Sequence, residues 1–191
     1  MADAIDGINI ADLHNNIVKS LAEQFKDDFK LIEFYRSENE RKPLKVAELP
    51  ALLLELPDFE LDLENDSGTE QLPLIARFEA RIVSDAMEKE QDNPSFMKVK
   101  VRGLAIKLAQ YLFKNKRFHK LKTGPLTLTA ITEDAFYPNL DRYEVWRVDF
   151  EMQIHAGESI WKSEDNTPMA LYSWSPEIGS AHSSAYQEVL T

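Results

Sequence analysis

The stretch Glu144-Val-Trp-Arg-Val-Asp-Phe-Glu-Met-Gln-Ile-His155-Ala-Gly-Glu158-Ser-Ile-Trp161 alternates with a period of two. Trp146, Val148, Phe150, Met152 and Ile154 fall on one side, and Arg147, Asp149, Glu151 and Gln153 on the other. That alternation predicts a strand with one face in a core and one face polar. A second stretch repeats it: Leu72, Leu74, Ala76, Phe78, Ala80 and Ile82 alternate with Arg77, Glu79 and Arg81. Two such strands need a layer on their apolar side, and two segments of helical period supply it. Ile10, Leu13, Ile17, Leu21 and Phe25 recur at three and four residues over 11–25, with Asn9 or Asp12 available as cap. Met97, Val101, Leu104, Leu108 and Leu112 do the same after Pro94; Gly103 within that helix costs about 1 kcal/mol relative to Ala and suggests a close backbone contact.

Shorter elements complete the order. Residues 30–35 read as a strand, 50–56 as an apolar strand closed by Pro57, 126–132 as a Thr-rich strand, and 169–174 as a last one. Polar loops are expected near 37–48, 58–70 and 85–94, and a tail near 176–191. The expected fold is α+β (an α/β sandwich): one domain over 1–191, with a largely antiparallel sheet and two main helices packed on one face. Its 191 residues are enough to bury roughly 70% of the unfolded surface.

Composition narrows the chemistry. The absence of cysteine removes disulfides, thiolate nucleophiles and Cys-based metal sites. The longest apolar run, Leu49 to Leu56, is far short of the ~20 residues a membrane helix needs, so no membrane partner is expected. Acids stand near the N-terminus where an export signal would carry Lys or Arg, so the expectation is a protein that stays in the cytosol or in a particle assembled there. The four histidines offer little: His155 with Glu158 lacks a third ligand, and Ser180-Ala-His182-Ser-Ser184 has no nucleophile elbow. The segment Asp62 to Glu70 resembles a calcium loop, but Gly68 is seventh where the sixth position is required, which favours a solvated hairpin loop. None of the six glycines forms a phosphate cradle. No catalytic, cofactor or metal residue is therefore assigned, and an enzyme is not expected.

Charge is distributed unevenly. The net charge is −11, yet Lys98 to Lys122 holds nine Lys/Arg and no acid, leaving the remainder about −20. This basic stretch suits contact with the acidic loops of another copy, a solvated helix face with cations at its C-terminal end, or a DNA-binding patch. The candidate interface residues are Arg77, Glu79, Arg81, Arg147, Asp149 and Glu151 on the strand faces, with Lys98, Arg102 and Lys107 on the basic helix. Across the sheet, pairs between the two charged strands add only ~0.2–1 kcal/mol each, specifying geometry more than stability.

The segments Tyr143-Glu-Val-Trp-Arg-Val-Asp-Phe150, His155 to Trp161 and Leu171-Tyr-Ser-Trp-Ser-Pro-Glu-Ile-Gly179 resemble virion proteins of tailed bacteriophages. Ala11-Asp-Leu-His14 and Ala76-Arg-Phe-Glu-Ala-Arg81 are similar as well, so the resemblance covers most of the chain. The order of helices and strands looks like the tail terminator (tail completion) family. That resemblance implies a homohexameric ring in the virion neck, assembled in the host cytoplasm. The ring would cap the tail tube, stop its polymerisation and meet the head connector or stopper, with DNA only passing through an acidic lumen. A head–tail connector or neck adaptor is the alternative it leaves. The acidic segment 58–70 and the C-terminal tail have no place in the terminator pattern.

Overall fold

The structure, a computed structural model, describes residues 7–34, 44–85, 96–118, 121–134 and 143–159, together with the backbone of 171–172 and 187–188. The first helix, α1 (Ile10–Gln24), starts where Asn9 Oδ1 accepts the backbone N–H of Ala11 at 2.8 Å. That cap satisfies one of the donors a helix start leaves open. The stripe Leu13, Ile17, Leu21 and Phe25 is fully buried. The chain then enters β1 (Leu31–Phe34), β2 (Ala51–Leu61), β3 (Leu72–Asp85), α2 (Phe96–Lys114), β4 (Thr127–Glu133) and β5 (Tyr143–Ala156).

Five strands form one mixed sheet in the order β1-β2-β3-β5-β4, in which β1 and β2 are parallel and the other pairs antiparallel. The architecture is α+β, as the sequence predicts. Both helices pack on the same face: α1, α2 and the side chains of Leu54, Phe78, Ile82, Phe150 and Ile154 belong to one hydrophobic cluster. Phe78 and Phe150 are partners in the β3–β5 register and their rings stack with centroids 4.9 Å apart. On α2 the buried stripe is Val101, Ala105, Leu108, Ala109 and Leu112, with Leu104 only partly buried; the side chain of Met97 lies outside the described residues.

Three expectations are corrected. First, β2 does not stop at Pro57. It bulges between Glu55 and Asp58 and resumes pairing with β3 from Asp58 to Leu61, so the acidic segment 58–70 begins as strand. Proline is tolerated there because a bulge frees its residue from the ladder. Second, Gly103 makes no close contact, since a Cβ there would meet nothing within 4 Å. Third, the expected last strand does not extend the sheet. Leu171–Tyr172 (β6) pairs antiparallel with Gln187–Glu188 (β7), inside the segment expected to be a tail. The expected loop over 85–94 falls largely outside the described residues, although Asp85 is the buried last residue of β3.

The face away from the helices is not uniformly polar. At one end Ala51, Val83 and Val145 form a second apolar cluster with Leu49, and Tyr143 donates from its hydroxyl to the Leu44 carbonyl at 3.0 Å. The segment 44–50 thus covers that end. Beyond it lies the charged surface.

Candidate functional site

Register places the charged residues in rows across the sheet. Arg81 lies opposite Arg147 and Leu53; Glu79 lies opposite Asp149 and Glu55; Arg77 lies opposite Glu151 and Asp58. Only the third row sets unlike charges face to face. Like charges directly opposite destabilise a sheet, so the attractions run along diagonals and to residues outside the two strands.

Arg81 is the centre of the network. Its Nε donates to Asp134 Oδ2 at 2.7 Å and its Nη1 to Glu55 Oε2 at 2.7 Å, while Nη2 contacts Glu79. Its side chain is 11% exposed and that of Asp134 only 4%. Burial opposes the Arg81 charge, but the hydrogen bonds to Asp134 and Glu55 and the field of Glu55 and Glu79 outweigh it, holding the guanidinium above its ordinary value. Arg147 Nη1 reaches Glu79 Oε1 at 3.4 Å. Arg147 Nε and Asp149 Oδ1 lie 2.9 Å apart but out of line for a hydrogen bond, so both buried atoms gain Coulomb attraction only. Burial pushes the Asp149 carboxyl up, Arg147 opposes this and Glu79 adds to it; the net direction is upward. Arg77 pairs with Glu60 and, at 3.9 Å, with Glu151.

A cleft of about 350 Å³ opens at this row, lined by Pro57, Asp58, Arg77, Glu79, Thr129 and the Asp149–Glu151 segment. Its origin is local. The neighbouring strands both bulge here, β2 between Glu55 and Asp58 and β4 between Leu128 and Ala130. A bulge bends its strand and increases the local twist. The volume lies at the small end of ligand pockets, and the carboxylates of Asp58, Glu79, Asp149 and Glu151 share the lining with Arg77 and with apolar surface. Of the two facing acids, Glu79 is shared between Arg81 and Arg147, and Asp149 lies against Arg147. Groups engaged in that way specify contact geometry more readily than they move protons.

The structure therefore brings Arg77, Glu79, Arg81, Arg147, Asp149 and Glu151 together, and separates them from Lys98, Arg102 and Lys107. The latter lie on α2, on the other side of the sheet. Lys107 Nζ bonds both oxygens of Asp28 at 2.6 and 2.8 Å, tying α2 to the turn after α1. Arg102 stacks over Trp146, with its guanidinium carbon 5.0 Å from the ring centroid, and approaches Glu133. Lys98 lies 3.6 Å from Glu144. His119 and Lys120, at the end of the basic stretch, lie outside the described residues.

Sequence reading missed Glu55, Glu60 and Asp134 as partners of the arginines. A signal for Glu60 was present: Asp58, Glu60 and Asp62 alternate with Phe59, Leu61 and Leu63, the period of a strand, behind a proline that argues for a stop. Asp134 carried none.

The strand exit at His155 is a backbone junction. The Ile8 N–H donates to the His155 carbonyl at 3.0 Å, and the Gln71 side chain donates to the Gly157 carbonyl at 3.0 Å. Gly157 has φ of 97°, a conformation that favours glycine. In the segment that resembles a calcium loop, Asp62 accepts from Asn65 and Gln153, and Asp66 accepts the Gly68 N–H. The Asn65 and Gly68 bonds are turn contacts, and the Gln153 bond ties the turn to β5. Among the described residues no three His, Asp or Glu side chains are grouped to hold a metal, and no helix is long and apolar enough to cross a membrane. The chain matches no protein-family model, and no curated protein shows significant similarity to it.

Proposed function

We propose that this protein is a structural component of a tailed-bacteriophage virion: a tail terminator whose copies form a ring that caps the tail tube, ends its polymerisation and meets the head connector. The observation that carries the reading is the sheet face opposite the helices. There Glu55, Asp58, Glu60, Glu79, Asp134, Asp149 and Glu151 outnumber Arg77, Arg81 and Arg147, and the arginines are engaged by those acids. Such a face has little to offer phosphates, because attraction to DNA needs Lys and Arg available to neutralise them. It suits the wall of a channel through which DNA slides, or a contact with another protein. Placing both helices on one side leaves this face open to that use. The role requires no catalytic residue.

Electron microscopy of particles made without the protein tests the proposal. Over-long tails are the expected result, and normal joined tails would remove it. Tails of normal length that fail to join heads would instead favour the head–tail connector.

A further inference from the structure

Most of the exposed large hydrophobic residues of the described chain fall in two places of opposite charge. On α2, opposite its buried stripe, Val99, Ile106 and Phe113 recur every seven residues and are 49% to 66% exposed. Residues seven apart on a helix share one face. Lys114 and Lys116 flank the stripe at its end, and Lys116 Nζ lies 4.4 Å from the Phe113 ring centroid. The second place is the end of the β2–β3 hairpin. Phe59 and Leu61 pair with Ala76 and Leu74, so they point to the helix side of the sheet, yet they, Leu63 and Leu72 are 42% to 67% exposed. The chain between the two strands carries Asp62, Glu64, Asp66 and Glu70 and no cation.

Among the described residues the two surfaces do not meet within one copy. The hairpin end lies where β3 begins and β5 ends, whereas the outer stripe of α2 faces away from the sheet. One surface is apolar and basic, the other apolar and acidic. Contiguous exposed apolar surface marks an interaction site, and complementary charge sets its partner and orientation. Two different, mutually complementary patches on one chain make a heterologous contact, which repeats from copy to copy and closes into a ring where the rotation permits.

We propose that copies of this chain associate head to tail, the apolar underside and acidic tip of one β2–β3 hairpin seating on the outer stripe of α2 in the next copy. The proposal rests on the reading above that copies form a ring, and it names the contact.

Sedimentation velocity on purified protein tests it. Wild type should assemble, whereas Phe113→Asp and Leu61→Lys should each be monomeric. Mixed together, these two variants should form dimers and nothing larger, because each retains the surface the other has lost. Both sites are exposed, and thermal melts matching wild type confirm folding; Ile106→Asp and Leu72→Lys replace any variant that does not fold. A wild type monomeric at tens of micromolar, a folded variant that assembles like wild type, or a mixture of folded variants that stays monomeric would each overturn the proposal. Normal tails in particles lacking the protein would remove the terminator role and leave the sedimentation result standing.

Discussion

Arg81 and Arg147 face each other across β3 and β5, and one carboxylate, Glu79, bridges them. Two like charges at that position repel at close range, and the acid between them offsets that repulsion. The same carboxylate lies opposite Asp149. The face is therefore a lattice in which each charge depends on its diagonal neighbours.

Arg81 contributes most to that lattice because it is buried. Removing it takes a charged partner from Asp134, whose side chain is almost fully covered. Arg81→Ala should cost about 3–5 kcal/mol, the usual effect of breaking a buried ion pair by deleting one member. The double variant Arg81→Ala with Asp134→Ala should cost less than Arg81→Ala alone. Urea denaturation of the single and double variants measures the difference.

Asp149 should weaken the fold at neutral pH. Its folded carboxyl is raised above the unfolded value, so the folded chain binds the proton more tightly, and stability declines as pH rises through that window. Asp149→Asn removes the penalty while keeping the shape. It should melt higher than wild type at pH 7, with the advantage shrinking as pH falls into the ordinary carboxylate range. An unchanged advantage at low pH would contradict this origin.

His14 should act in the opposite sense. It stacks on Phe34 with centroids 4.3 Å apart, and burial holds its imidazole below the ordinary histidine range. The unfolded chain therefore takes up a proton first, and stability is lost as pH drops below about 6.5. Between pH 7.5 and 5.5 wild type should lose melting temperature relative to His14→Leu. Equal losses would place the effect elsewhere.

Gly103 offers a gain. It is exposed within α2 and a Cβ there meets nothing, so Gly103→Ala should stabilise the protein by about 1 kcal/mol through helix propensity alone. A denaturation midpoint shifted upward with an unchanged slope is the expected reading.

Most elements with a clear local period were legible in the sequence. The three- and four-residue spacing of Leu13, Ile17 and Leu21 defines α1, and the alternation from Trp146 to Ile154 defines β5 and its buried face, because each periodicity reflects one element's own geometry. The tertiary structure decided what meets what. Arg81 finds Asp134 across 53 residues, and a bulge carries β2 past Pro57 to bring Asp58 and Glu60 beside Arg77. It also set α2, with Lys98, Arg102 and Lys107, on the far side of the sheet from the arginines with which the sequence grouped them. Register and layer order are settled by long-range packing of apolar faces, and a charge inherits its partners from that packing.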